Sequence, residues 1–289
     1  MAETRVALTA AARVGEGPVW DPVTEVLLWV DIPAGLVHTS RPETGQTTTL
    51  ELPTCVGAVA PTADGGLVVA CEQGFGLVTT GGSFAVRRPV LAPGERMNDA
   101  KCDAAGRFWA GSTEMSFAAG RGALHVLNPD WSSDVVLDGL TLPNGMGWSP
   151  DSRVFYLADS EERVILAFDF DLAQGTLSGR RILVAFGERD GKPDGLCVDA
   201  TGDLWVAMWG GSRVLHLSPL GEIRDVVSVP VRQPSSCAFA GRALDVLYVT
   251  SAREGLNLVP GGGALDGSLF AVTATGATGL ACAPFAGSA

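Results

Sequence analysis

Four side chains with oxygen donors occupy the same position in a pattern that recurs along the chain: Glu16, Asn98, Asn144 and Asp194. Carboxylate and amide oxygens are ligands that hard divalent cations accept. If the four side chains converge, two carboxylates and two amides would repel and desolvate one another unless a cation lay between them. The pattern therefore indicates a divalent metal site, and acid–base chemistry by carboxylates next to the metal.

The flanking residues show the match between repeats. Two pairs of segments align: Gly15-Glu-Gly-Pro-Val-Trp20 with Pro143-Asn-Gly-Met-Gly-Trp148, and Pro193-Asp-Gly-Leu-Cys197 with Met97-Asn-Asp-Ala-Lys101. The same position falls on Gly57 in the second repeat and on about Ser236 in the sixth. Each segment alone has another interpretation, because Pro-Asn-Gly and Pro-Asp-Gly are also turn signatures and Glu16 could be a solvated loop residue. Their coincidence at one repeat position favours the metal site.

The elements that carry these residues repeat six times. Six short β-branched, aromatic and apolar segments start between 40 and 49 residues apart, a period typical of propeller blades. They are Leu27–Val30, Leu67–Ala70, Arg107–Ala110, Val154–Leu157, Asp203–Val206 and Val246–Val249. Most are preceded by a turn rich in Asp, Gly or Pro and followed by a second strand pattern.

Strand, turn, strand, repeated six times without helical periodicity, predicts an all-β, six-bladed β-propeller. The inner strand of each blade then lines a central channel, which would bring the four oxygen-bearing side chains to one mouth of it. A two-sheet sandwich is the alternative, and the regular period argues against it. Residues 1–289 are expected to form one domain, with Gly261–Gly263 as a loop inside the last blade.

Composition excludes several classes of function. A formal net charge of −12 disfavours nucleic acids and anionic membrane surfaces. The N-terminal residues lack the apolar stretch of a signal peptide, and no run approaches the roughly 18 apolar residues of a spanning helix. The six scattered cysteines fit free thiols. We expect a cytoplasmic monomer or weak homo-oligomer that acts on a small molecule.

Other catalytic patterns do not occur. His38, His125 and His216 are isolated and lack ligand spacing, so a histidine-rich zinc site is not predicted. There is no Gly-x-Ser-x-Gly nucleophile motif, phosphate-binding loop or dinucleotide fingerprint.

From about Gly15 to about Val272 the sequence resembles the regucalcin/gluconolactonase (senescence marker protein) family of six-bladed propellers. Six segments in matching order carry the resemblance: Gly15–Trp20, Arg96–Asp99, Pro143–Met146, Pro193–Leu196, Ala207–Gly211 and Val249–Arg253. The resemblance implies hydrolysis of aldonolactones, such as glucono- or xylono-lactone, with one divalent ion. Calcium is the first expectation, and zinc, manganese, magnesium or iron(II) are the others.

The resemblance also implies roles for individual residues. Glu16, Asn144 and Asp194 would bind the metal, and Asp194 would also act as general base. Arg96 and Asn98 would bind the sugar. Some members place a further glutamate after the third-blade strand to hold substrate hydroxyls, and the only nearby acid here is Glu114, which is carried over as a substrate ligand.

Several alternatives stay open. Trp209 could form an apolar wall for the sugar or pack in the core. The same metal site could cleave other esters or phosphotriesters, and a propeller that binds calcium without catalysis is also possible.

Overall fold

Six four-stranded antiparallel sheets make up the fold of the computed structural model, which describes residues 2–256 and 263–288. Strands are numbered in chain order. The first four sheets comprise β2 (Gly15–Asp21), β3 (Val26–Asp31), β4 (Leu36–Arg41) and β5 (Gln46–Glu51); β6 (Val56–Pro61), β7 (Leu67–Cys71), β8 (Gly74–Val78) and β9 (Phe84–Pro89); β10 (Glu95–Cys102), β11 (Phe108–Glu114), β12 (Gly122–Leu127) and β13 (Ser133–Leu140); and β14 (Pro143–Trp148), β15 (Val154–Asp159), β16 (Val164–Asp171) and β17 (Thr176–Ala185).

The last two sheets complete the set. The fifth comprises β18 (Lys192–Val198), β19 (Leu204–Trp209), β20 (Arg213–Leu217) and β21 (Ile223–Ser228), and the sixth β22 (Pro234–Ala240), β23 (Val246–Ser251), β24 (Leu269–Thr273) and β1 (Glu3–Leu8). A short 3₁₀ helix, Glu188–Asp190, precedes β18. The six predicted apolar segments are the second strands of the six sheets, so the repeat assignment is confirmed.

The sheets are the blades of a closed ring. Consecutive inner strands (β2, β6, β10, β14, β18 and β22) contact one another in order, and β22 contacts β2 to close the circle. The N-terminal strand β1 forms the outer edge of the sixth sheet by pairing with β24. The fold is a six-bladed β-propeller, as predicted. The assignment of residues 1–289 to one domain stays a prediction, and residues 261–262 of the predicted last-blade loop lie outside the described residues.

The hydrophobic core lies between neighbouring blades. Six clusters of buried side chains each join two adjacent blades. Trp29, Trp109 and Trp205 are among the largest fully buried side chains, as expected for strand tryptophans in sheet-on-sheet packing. This packing fixes the inner strands, which carry the candidate site.

The C-terminal residues pass across one face of the ring. Gly279 forms a bridge with Asp199 of the fifth blade, and Phe285 forms one with Thr62 of the second blade. Phe285 is fully buried in the cluster between the second and third blades and meets Trp131 edge-on. The segment therefore ties distant blades together. Among the described residues no helix is long and apolar enough to cross a bilayer.

Candidate active site

Each inner strand has a bulge at the same point, where the candidate residues lie. The register shifts between Glu16 and Val19 in β2, between Met97 and Ala100 in β10, between Pro143 and Met146 in β14, and between Pro193 and Leu196 in β18. A bulge leaves one residue unpaired and redirects its side chain. The repeated bulge therefore turns one side chain per blade toward the axis.

In the second blade the bulged residue is Gly57, as the repeat alignment expects. In the sixth blade the register differs by one residue from the expectation. Pro234 pairs with Ser251 just before the bulge, as Pro143 pairs with Asp159, so Ser235 rather than Ser236 is equivalent to Asn144. Ser236 follows it and its hydroxyl interacts with the carboxylate of Glu16.

Close packing of neighbouring inner strands requires glycine at the position after the axial residue. A Cβ on Gly145 would collide with the backbone nitrogen of Leu196, and one on Gly195 would collide with the side chain of Ser236. Both glycines lie within strands and lack a positive φ, so close approach of neighbouring inner strands, and not a turn, requires them. Pro-Asn-Gly and Pro-Asp-Gly are therefore strand and bulge segments, and their interpretation as turns is wrong.

Three of the candidate metal ligands come together at the axis. The Asn144 side-chain amide donates to Asp194 Oδ1 and, at 3.0 Å, to Ser160 Oγ. Glu16 Oε2 accepts a hydrogen bond of 2.8 Å from the amide of Gly17. All three side chains are at most 5 % exposed. Burial of two carboxylates this close to each other is costly without a counter-charge.

The pKa values of the axial carboxyl groups reflect the cost of burying their charges. Burial, followed by the charge of Asp99, raises the pKa of Glu16 to about 8. Burial, followed by the charges of Glu16 and Asp99, raises the pKa of Asp194 well above its ordinary value. The pKa of Asp99, a third buried carboxyl group here, is also raised by burial, while Lys101 lowers it. Protonation or a bound cation can relieve this repulsion.

One buried polar atom near these carboxyl groups also lacks a partner. Asn144 Oδ1 has no hydrogen-bond partner among the described residues, although its Nδ2 makes two hydrogen bonds. A buried amide oxygen left without a donor costs about 1–3 kcal/mol. The amide group of Asn144 contacts Asp194, and Glu16 lines the same cavity, so the side chains offer oxygen donors to a cation. The residues present therefore fit a hard divalent cation.

A cavity of about 340 Å³ opens onto these residues. Its walls are partly apolar, formed by Val14, Ile32, Phe117, Leu142 and Trp209. The remaining lining residues are polar: Glu16, Arg96, Asn98, Asn144, Ser160, Glu161, Lys192, Asp194 and Glu254. Trp209 is half-buried and lines the cavity, as the first of its two interpretations expects. The size and mixed lining suit a small polar molecule.

Arg96 and Asn98 lie together on the third-blade wall. Arg96 Nη1 donates to Asn98 Oδ1 at 2.7 Å and to the carbonyl of Met97 at 3.1 Å. Asn98 Nδ2 donates to the carbonyl of Pro143 at 3.0 Å, which ties the third blade to the fourth. The Arg96 guanidinium lies 5.9 Å from the ring centre of Phe117. Phe117 has a φ of 58°, an uncommon conformation for a bulky residue that occurs here at the cavity wall.

Glu114 is placed differently. It ends β11, and its carboxylate accepts hydrogen bonds from the Ser116 backbone amide and hydroxyl. These bonds lower the pKa of Glu114. It is not among the residues that line the cavity, so its role as a substrate ligand stays a prediction without support from the cavity geometry.

Sequence reasoning missed four polar residues of the cavity: Ser160, Glu161, Lys192 and Glu254. Lys192 stands two residues before Asp194, and that spacing is the one signal that could have pointed to it. Ser160 and Glu161 follow the end of β15, and Glu254 pairs with Arg13 at 3.1 Å. None of these residues lies at the axial position that the repeats share, so comparison of that position could not find them.

A second carboxylate cluster lies away from the axis. Ligand atoms of Asp199, Asp203 and His216 lie within 4.8 Å of one another. Both carboxylates already have protein partners: Asp199 accepts a hydrogen bond from Trp205 Nε1, and Asp203 Oδ2 lies 2.9 Å from both His216 Nε2 and Arg224 Nη1. His216 also stacks on Trp205, with ring centres 4.2 Å apart. The cluster is a structural network that orients a core tryptophan.

Comparison with known proteins agrees with this geometry. Residues 14–253 match the family model described as "SMP-30/Gluconolactonase/LRE-like region". The chain belongs to this family. Human regucalcin is 36% identical over 290 residues, covering 95% of each chain. A Bacillus subtilis protein provisionally named sugar lactone lactonase YvrE is 34% identical, covering 84% of this chain and 85% of its own.

A solved structure extends the similarity to three dimensions. The structure described as a calcium-binding protein, regucalcin, from Agrobacterium tumefaciens superposes with a TM-score of 0.91 at 25% identity, covering 98% of this chain and 97% of the other. The family assignment made from the sequence is therefore confirmed, and with it the propeller fold.

Proposed function

We propose that this protein is a metal-dependent hydrolase that opens a sugar lactone, such as glucono- or xylono-lactone, to the aldonic acid. The observation that carries the proposal is the unpartnered, buried Asn144 Oδ1 beside Asp194, with Glu16 as the second buried carboxylate. The family match and the provisional lactonase name of the Bacillus subtilis relative support the reaction class.

Glu16, Asn144 and Asp194 would hold the ion, with calcium as the preferred candidate because all the donors are oxygens. The name of the Agrobacterium tumefaciens relative supports the same choice. When bound, a divalent ion supplies Lewis-acid polarisation of the lactone carbonyl and stabilises negative charge on its oxygen.

The protein's own residues would do the rest. Asp194 accepts the proton of the attacking water and returns a proton to the ring oxygen as the carbon–oxygen bond of the lactone breaks. As a metal ligand it is a weak base, so its contribution comes mainly from its position. Arg96 offers guanidinium donors to ring hydroxyls, and Asn98 can both donate and accept.

A pH-stat assay on gluconolactone tests the proposal. Acid release above the uncatalysed rate should stop when a chelator is added and return with calcium or manganese. Turnover that persists after full metal removal would contradict the metal-dependent reaction. A panel with simple esters and phosphotriesters distinguishes a sugar lactonase, which should prefer polyhydroxylated rings, from a general esterase.

A calcium-binding protein without catalysis is the second candidate, favoured by the description of the Agrobacterium tumefaciens structure. It predicts metal binding by calorimetry with no lactone turnover in the presence of any metal.

We also propose that the protein is cytoplasmic. The proposal is supported by its six cysteines, which are all free thiols.

A further inference from the structure

The cavity contains an ion pair that does not belong to the proposed set of metal ligands. Lys192, the first residue of β18, places its Nζ 2.6 Å from Oε1 and 2.7 Å from Oε2 of Glu161. Both residues line the cavity together with the axial ligands. The pair therefore faces the same space as the proposed reaction.

Stability does not account for the pair. The side chains of Lys192 and Glu161 are 31% and 29% exposed, and ion pairs with such access to water contribute only about 0–1 kcal/mol. An ammonium held by both oxygens of one carboxylate, within reach of a ligand, has the form of a recognition element.

The position of the pair is fixed relative to the axis. Ser160, next to Glu161, donates to the carbonyl of Pro193 at 2.7 Å and accepts from Asn144 Nδ2 at 3.0 Å. Pro193 lies between Lys192 and Asp194 in β18. Both partners are thus adjacent in sequence to residues that hold the proposed metal ligands in place.

The chemistry of the pair matches a hydroxyl group. The ammonium has three N–H donors, of which Glu161 takes two, and the carboxylate oxygens keep lone pairs that can accept. A hydroxyl both donates and accepts, so it can bind each partner without breaking the pair. Trp209 is paired with Lys192 across β18 and β19 and offers an aromatic surface in the same cavity. A polar pair beside an aromatic face suits one side of a sugar ring.

We propose that Glu161 and Lys192 bind the ring hydroxyls of the substrate, and that they make the cavity selective for uncharged, polyhydroxylated lactones over lactones without hydroxyls. This inference rests on the proposed lactonase function for its kinetic test. It also assigns to the fourth and fifth blades the hydroxyl-binding role that the family resemblance implies for Glu114.

Glu161→Gln and Lys192→Met test the proposal, with Glu162→Gln as matched control. Glu162 is the neighbouring, exposed carboxylate, and it bonds Thr141 outside the cavity. In the first two variants the KM for gluconolactone should rise about tenfold or more, because a hydrogen bond to a charged group is lost, while kcat in Glu161→Gln stays within about twofold. The kcat/KM for δ-valerolactone, which has no hydroxyls, should not change in Glu161→Gln. Equal losses on both lactones, or no loss on either, would overturn the proposal.

Binding of 1,5-anhydroglucitol separates this inference from the proposed function. The compound has the hydroxylated ring but no carbonyl, so it cannot be turned over. Ligand-observed NMR should show that it binds the wild-type protein and Glu162→Gln equally, and Glu161→Gln at least about fivefold more weakly. Absent binding to the wild type, or equal binding to all three, refutes the hydroxyl-binding role. Absent turnover of gluconolactone with this binding pattern intact would instead refute only the lactonase reaction.

Discussion

Binding of a divalent ion at the axis should release a proton, because Glu16 retains one in the metal-free protein below about pH 8. The pKa of Glu16 is raised from 4.5 to about 8, first by burial and then by Asp99. The pKa of Asp194 is also raised well above its ordinary value, first by burial and then by Glu16. At neutral pH a cation must displace a proton from Glu16 to reach its oxygens.

The size of the effect follows from the Glu16 shift. A change from 4.5 to about 8 corresponds to roughly 5 kcal/mol, at about 1.36 kcal/mol for each pKa unit. Below pH 8 the apparent metal affinity should therefore rise about tenfold per pH unit for each proton displaced. The stability of the metal-free fold depends on pH in the opposite direction and falls as the pH rises. The folded state keeps a proton that the unfolded chain has lost between pH 4.5 and about 8, so the stability that this proton contributes is lost as the pH rises through that window.

Isothermal titration calorimetry measures both the number of protons released and the affinity for the metal. Titrations with calcium and manganese between about pH 6 and 8, in buffers of different ionisation enthalpy, should show release of about one proton and a dissociation constant that falls with pH. The variant Glu16→Gln should release about one proton fewer. A dissociation constant that is flat across this range, with no proton release, would refute the assignment of Glu16 as a buried ligand.

Three further substitutions have expected outcomes. Asp194→Asn should keep the wild-type circular dichroism spectrum but lose at least about a hundredfold in lactone turnover in the pH-stat assay, and near-wild-type turnover would remove Asp194 as the base. Phe285→Ala should lower the free energy of unfolding in urea by about 3–5 kcal/mol, because it leaves a cavity at a fully buried site that joins the C-terminal segment to two blades. The control Val23→Ala, at an exposed position, should change the free energy of unfolding by less than about 0.5 kcal/mol. Gly145→Ala should destabilise the fold by at least about 1–3 kcal/mol and weaken metal binding, because its Cβ would collide with the backbone of Leu196. Gly81→Ala is the control, since its Cβ would meet no atom closer than 3.7 Å. An effect of Gly145→Ala no larger than that of the control would show that the two inner strands can separate without cost.

The sequence was sufficient to predict the architecture, because the second strand of every blade is almost completely buried. Such strands need continuous apolar residues, as in Leu27–Val30, and their spacing repeats with the blades. Outer strands such as β13 and β21 are largely exposed and carry a weaker pattern. The completion of the sixth blade by β1 depends on pairing with β24, a strand far away in the sequence, which no local pattern encodes.

The axial residues could be predicted because the ring has approximate rotational symmetry. A position that faces the axis in one blade faces it in all, so Glu16, Asn144 and Asp194 could be assigned to one place. The one-residue difference at Ser235 arises because a bulge sets two residues against one, which blurs the phase of a sequence alignment.

The remaining walls of the cavity could not be predicted in this way. Glu161 and Lys192 lie at strand ends and loops whose sequences differ between blades, and a hydrogen bond from Ser160 to the carbonyl of Pro193 joins the two segments next to them. Glu114 was assigned by resemblance to the end of the third-blade strand, where local bonds to Ser116 hold its carboxylate. Contacts between non-equivalent loops require the folded structure.

The most direct test of the axial metal site is a crystal structure grown with manganese, with data collected at the manganese absorption edge. The account predicts one strong anomalous peak within coordination distance of Glu16, Asn144 and Asp194, at about 2.0–2.3 Å from their oxygens. No peak at the axis at saturating manganese, or a peak at Asp199, Asp203 and His216 instead, would contradict it.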